Sequence, residues 1–90
     1  MKDIDVRLKE LEAFIQTMDR FQTTASEQSK ALRSAWQKCD GSWQGAAKDS
    51  FQKEFNQTTQ SMNAALKDGQ SSLVWLKKFR DQVVKFEKRR

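Results

Sequence analysis

The chain has 90 residues, which is enough for one small domain but not for a large hydrophobic core. It contains no His and a single Cys, so a histidine general base, an intramolecular disulfide and a cysteine cluster for zinc are all excluded. We therefore expect no enzymatic activity, no small-molecule substrate, no cofactor and no metal site. The absence of Pro, with only three Gly and a net charge of +5, indicates a few long, basic helices.

The first predicted helix covers about residues 4–38. Apolar and small side chains recur at alternating steps of four and three residues from Ile4 to Cys39. This heptad spacing keeps one side of a helix turned toward a partner. The opening residues pass directly into the charged amphipathic pattern without an apolar leader segment, and no window is long enough for a membrane span. We therefore expect any export from the cytoplasm to proceed without a cleavable signal peptide.

A turn is predicted at residues 39–45, and a second helix follows over about residues 46–88. The turn holds two of the three glycines, and Gly41 is expected to take a left-handed conformation at the end of the first helix. The heptad spacing continues through the second helix. Together these features predict one domain over residues 1–90, an all-α antiparallel two-helix hairpin.

The middle of each heptad pattern is small or polar rather than apolar. The pattern places Gln22, Ala25 and Ser29 at the contact on the first helix, and opposite them Thr58, Ala65, Gly69 and Ser72 on the second. Small side chains let two helix backbones approach closely, so we expect a narrow waist rather than a binding site here.

Both predicted helices carry more apolar side chains than a two-helix contact can cover. Phe14 and Phe21 lie beside the heptad positions of the first helix, and Leu66, Leu73 and Trp75 lie beside those of the second. A second hairpin covering this stripe would complete an elongated four-helix bundle, as a homodimer or a heterodimer. The predicted interface residues are Phe14, Met18, Phe21, Phe51, Phe55, Leu66, Leu73 and Trp75.

The predicted turn contains Trp43-Gln44-Gly45, and the run to Phe51 has the form W-x-G-A-x4-F between two amphipathic helices. In a chain of this length without Pro, the arrangement resembles the WXG family, the early-secreted-antigen-like small proteins of bacterial type VII secretion. The resemblance implies a secreted helical-hairpin dimer, or an adaptor that targets a larger effector to the secretion machinery. It also implies that Trp43 packs into a cleft near one end of the dimer and that Gly45 lets the backbone pass close by.

The resemblance further implies partners. A secretion ATPase recognises dimers of this family through a bipartite signal, of which the W-x-G tripeptide is one half. The other half, Y-x-x-x-D/E, is missing here because the chain contains no Tyr. A partner would then supply it, either another small helical W-x-G-type protein or the helical leader domain of an LXG toxin, for which this chain would be the adaptor.

The excess positive charge is concentrated near the C-terminus. Residues 1–66 carry nine basic and nine acidic side chains, whereas residues 67–90 carry eight basic and three acidic ones. The predicted basic patch consists of Lys77, Lys78, Arg80, Lys85, Lys88, Arg89 and Arg90. Nucleic-acid binding and a secretion filament stay open as alternatives. An acidic protein partner is favoured, because the interleaved Phe79 and Phe86 are expected on the buried side, unavailable for base stacking.

Overall fold

The computed structural model describes residues 7–88. These residues form two helices, α1 (Leu8–Asp40) and α2 (Ala46–Lys88), and contain no strand. The helices run antiparallel and pack on one another as a hairpin with extents of 67 × 18 × 14 Å. The prediction of an all-α hairpin is confirmed, whereas its pairing with a second hairpin stays a prediction. The predicted start of the first helix at residue 4 lies outside the described residues.

Gly45, rather than Gly41, carries the unusual backbone of the turn. Gly41 keeps helical geometry with φ −67°, so the prediction of a left-handed conformation there is wrong. The last turn of α1 is closed instead by Ser42, whose hydroxyl donates to the Cys39 carbonyl oxygen at 3.0 Å. Gly45 has φ 119°, a conformation that residues with a Cβ disfavour. Its carbonyl oxygen accepts the Asp49 N–H at 3.2 Å and begins α2.

The apolar core lies in the terminal half of the hairpin, where the start of α1 meets the second half of α2. Leu11, Ile15 and Leu73 form its buried cluster, and Met18, Leu76 and Phe79 are packed against it. The prediction that Leu73 lies beside the contact, available to a partner, is wrong, because its side chain is 0% exposed. Burying a leucine gains more free energy than burying the serine that precedes it, so the helix turns Leu73 inward.

Between the apolar core and the turn, the two helices approach each other closely at a hydrogen-bonded waist. The Gln22 side chain is 8% exposed, and its Nε2 donates to the Leu66 carbonyl oxygen at 2.9 Å. Gly69 makes room for this amide, since a Cβ built on Gly69 would lie 2.7 Å from Gln22 Nε2. Two turns further along α1, the Ser29 hydroxyl donates to Asn63 Oδ1 at 3.4 Å. The waist forms at the predicted positions Gln22, Ser29 and Gly69, but it sets a glutamine against a glycine rather than small residues against small residues.

Of the two rows of α2 side chains predicted to face α1, the row with Gly69 and Leu76 does so, and the other is shifted by one position. The shifted row is Thr59, Leu66 and Leu73, while the predicted Thr58, Ala65 and Ser72 are exposed. Both rows fit a heptad spacing equally well. The observed row buries Leu73 and partly buries Leu66, so it removes more apolar surface from water than the predicted row of threonine, alanine and serine.

Candidate interaction surfaces

The Trp43 ring lies in a cluster of four aromatic side chains at the turn end of the hairpin. Trp36 comes from the end of α1, and Phe51 and Phe55 come from the start of α2. The Trp43 and Trp36 rings are 6.1 Å apart at 83°, an edge-to-face contact, and Phe51 lies 5.0 Å from Trp36. Such ring pairs contribute about 0.5–1.5 kcal/mol beyond the area they bury. Trp43 therefore holds the turn against both helices.

The cluster leaves one side of Trp43 open. Its side chain is 37% exposed and borders an apolar depression of about 340 Å³, which Leu32 and Cys39 also line. A Cβ built on Gly45 meets no atom within 4 Å, so this hairpin does not show the close backbone approach that the resemblance implies for Gly45. Within a single chain, glycine is needed at Gly45 for its positive φ.

An ion pair joins the end of α1 to the start of α2. Lys48 Nζ lies 2.5 Å from Asp40 Oδ1, and both side chains are partly shielded from water. The hydrogen bond to the Asp40 carboxylate raises the pKa of Lys48 above its ordinary 10.5. Desolvation opposes this rise, while the charges of Asp40 and Asp49 support it. The pair thus contributes to closing the turn beside the aromatic cluster.

Two surfaces of different character flank the contact between the helices. The first, the polar groove, has a volume of about 500 Å³ and is lined by Gln22, Thr23, Ser26, Glu27, Lys30, Leu66, Lys67 and Gln70. Leu66 is its single apolar side chain, and Gln22 lies at its base because it is the buried member. The groove is therefore a place for hydrogen bonds and charge rather than for apolar burial.

The second surface, the apolar face, consists of Phe14, Met18, Phe21, Leu32, Trp75 and Phe79. Residues nine positions apart on an α-helix are separated by about two and a half turns, so they project to opposite sides. Phe14 and Leu32 each lie nine positions from Thr23 in α1. Trp75 lies nine positions from Leu66 in α2. Because Thr23 and Leu66 line the polar groove, the apolar face occupies the opposite side of the hairpin.

Most of the apolar face is in contact with water. Phe14 is 55% exposed, Phe21 64% and Trp75 63%. Trp75 stacks on Phe79 with 5.5 Å between the ring centroids and 6° between the ring planes. Large aromatic rings that are exposed together on one side of a small protein mark an interaction site.

The structure brings together only part of the predicted interface. Phe14, Met18, Phe21 and Trp75 lie on the apolar face, Phe51 and Phe55 join the aromatic cluster, Leu66 lines the polar groove and Leu73 is buried. The prediction that Leu66 shares a stripe with Phe14 is therefore wrong. Leu32 and Phe79 belong to the apolar face as well, although the heptad pattern predicts Phe79 on the buried side.

Comparison with known proteins places the tripeptide in its family context. Residues 3–73 match the WXG100 family model, described as proteins of 100 residues with WXG. The chain belongs to the WXG100 family. No curated protein and no solved structure matches the chain significantly. The family match covers both helices as far as Leu73 and includes Trp43 and Gly45.

WXG100 proteins are small helical proteins of bacterial type VII secretion that typically dimerise and are not known to be enzymes. Membership makes this hairpin a small type VII secretion-associated protein. Neither helix described over residues 7–88 has an apolar stretch that could cross a membrane. Within the same residues, no group of three or more His, Cys, Asp and Glu side chains could hold a metal ion.

The predicted basic patch of the WXG100 hairpin lies beyond the segment that matches the family. Two of its members are engaged: Lys77 lies 3.9 Å from Asp19, and the Arg80 guanidinium lies 2.9 Å from Asp81. Lys78, Lys85 and Lys88 make no ion pair within residues 7–88, and Arg89 and Arg90 lie outside the described residues. The patch is therefore a partly neutralised strip along the end of α2.

Proposed function

We propose that this WXG100 protein pairs through its apolar face with a second helical hairpin and is exported as that pair by the type VII machinery. The observation that carries the proposal is the exposure of the face, where Phe14, Phe21 and Trp75 are each more than half exposed. Fully burying an aromatic or aliphatic side chain contributes about 1.5–3 kcal/mol. A second hairpin laid on this face would complete a four-helix bundle.

The distribution of side-chain size supports a second copy turned end for end. At seven-residue steps toward the turn, α1 presents Phe14, Phe21, Gln28 and Ala35, and α2 presents Phe79, Ser72, Ala65 and Thr58. Along these rows both helices carry rings near the chain ends and smaller side chains in the middle of the hairpin, and the next α2 position toward the turn is Phe51 of the aromatic cluster. A parallel pair would set rings against rings and leave voids elsewhere, whereas an end-for-end pair sets the rings of one copy against the small residues of the other.

A helical segment of a larger exported protein could occupy the same face, and the hairpin would then act as its adaptor. The helical leader domain of an LXG toxin is a partner of that kind. In either assembly, we propose that the secretion ATPase recognises Trp43. Its partial exposure beside the apolar depression supports this role, because the ring remains accessible while the hairpin is folded.

Replacing Phe21 with Glu tests the pairing, and Thr23→Glu is the matched control on the opposite side of α1. Both side chains are exposed, so both variants should keep the helix content that circular dichroism measures. Light scattering should give the wild type and Thr23→Glu twice the 10.5 kDa chain mass, and Phe21→Glu the single mass. A wild-type monomer at about 50 μM, a concentration at which a micromolar complex is saturated, would contradict pairing of two copies.

A further inference from the structure

The polar groove remains open when the apolar face is covered, because the two surfaces lie on opposite sides of the hairpin. Its walls carry an unpaired cation on each side, Lys30 from α1 and Lys67 from α2. Neither makes an ion pair within residues 7–88, and Glu27 is the single carboxylate in the lining. The groove therefore offers two ammonium groups across a shared space to a ligand of opposite charge.

The positive charge continues along the same side of α2, where Asp81 also lies and is paired with Arg80. Lys77 follows the groove residue Gln70 by seven positions, and Lys88 follows Lys77 by eleven, which are about two and about three helical turns. Lys77 lies against Asp19 at 3.9 Å, a long contact that leaves part of its charge available. At about 1.5 Å per residue, Lys67, Lys77 and Lys88 mark positive points about 15 Å apart along one side of α2.

We propose that the polar groove binds an acidic helix of a protein partner, on the side of the hairpin left free by pairing. The groove between two antiparallel helices accepts a third helix, and Leu66 gives it one apolar contact point. Carboxylates at eleven-residue intervals on the bound helix would meet the positive points, about three turns apart. A nucleic acid fits less well, because no aromatic side chain lines the groove for base stacking and Glu27 faces the ligand.

The binding test uses a fluorescein-labelled, alanine-rich helical peptide of about 27 residues with pairs of Glu at eleven-residue intervals, the spacing of about three turns. Fluorescence anisotropy in about 50 mM salt measures its dissociation constant, since exposed ion pairs weaken at higher salt. The Lys30→Gln/Lys67→Gln variant should bind about fivefold more weakly or worse, as expected for losing two exposed ion pairs. The matched control, Lys38→Gln/Lys53→Gln, removes the same charge outside the groove and should change affinity less than twofold.

Three results would overturn the proposal. The first is no difference between the Glu peptide and its Gln counterpart, and the second is equal weakening by both double variants, which would reflect net charge alone. The third is tighter binding of a single-stranded DNA of equal length with the same dependence on Lys30 and Lys67, which would assign the groove to nucleic acid. Circular dichroism verifies that each variant is helical. Phe21→Glu should bind the peptide normally, so failure of hairpin pairing and failure of groove binding are distinguishable.

Discussion

Replacing Trp43 with Ala separates the two roles that its position allows, closing the turn and being recognised during export. The side chain is 37% exposed, so about two-thirds of its surface is covered by the aromatic cluster. A large aromatic side chain buries about 150–250 Å² when fully enclosed, so Trp43→Ala removes about 100–150 Å² of buried surface. At about 25 cal/mol per Å², the free energy of unfolding should fall by about 3 kcal/mol. This is an upper value, because the unfolded chain already buries some of that surface.

Trp36 provides the matched control because it belongs to the same cluster but not to the tripeptide. It contacts three rings, those of Trp43, Phe51 and Phe55, at centroid distances of 6.1, 5.0 and 5.5 Å. Trp36→Ala should therefore lower the free energy of unfolding more than Trp43→Ala does, by about 3–5 kcal/mol. If the cluster matters only for folding, export should follow this order and Trp36→Ala should be the poorer substrate.

The assay pairs stability with export for both variants. Thermal melting followed by circular dichroism and complex mass by light scattering report folding and assembly, and immunoblots of culture medium against cells report export. We expect Trp43→Ala to remain folded and assembled yet stay in the cell, while Trp36→Ala is exported in proportion to its folded fraction. Full export of a folded Trp43→Ala protein would refute recognition of the ring.

Two further predictions concern the waist and the turn. In a helix, Ala is favoured over Gly by about 1 kcal/mol. At Gly69, however, the new Cβ would displace the Gln22 amide from its hydrogen bond. Gly69→Ala should therefore leave the free energy of unfolding unchanged or lower it. In a Gln22→Ala background, Gly69→Ala should raise the free energy of unfolding by about 1 kcal/mol. A double-mutant cycle measured by urea unfolding that gives no coupling energy between Gln22 and Gly69 would contradict this packing. The raised pKa of Lys48 means that its ion pair with Asp40 stabilises fully below the ordinary pKa of 10.5 and is lost as pH rises through the folded-state value. From about pH 9 to about pH 12, the melting temperature of the wild type should fall more than that of Lys48→Gln, whereas parallel curves would contradict the linkage.

The hairpin itself could be predicted because helix length and turn position depend on local features. Without Pro, and with two of three glycines inside residues 39–45, the chain has one place to reverse. Which glycine takes positive φ was not predictable from type alone. Gly41 and Gly45 have the same conformational freedom, and the choice depends on hydrogen bonds that Ser42 makes to the end of α1.

The two surfaces were harder to predict, because they depend on which of two adjacent rows of α2 faces α1. The rows that contain Leu73 and Ser72 have the same heptad spacing, so periodicity does not choose between them. If the Ser72 row is taken to face α1, Leu66 and Leu73 are predicted to be available to a partner, and the polar groove is not predicted. The decision rests on the summed burial along both helices, which emerges only when α1 and α2 are packed together.

The polar waist fixes the level along the hairpin at which the aromatic residues of the two helices meet. Apolar heptad contacts alone allow two helices to slide by one turn or more, and a buried polar residue is a common way to select one register. Here the Gln22 amide is satisfied only where it meets the Leu66 carbonyl above Gly69. Sliding α2 would leave this amide buried without a partner, at a cost of about 1–3 kcal/mol. The waist thus contributes little net stability, but it selects the register that aligns Phe14 and Phe21 with Trp75 on the apolar face.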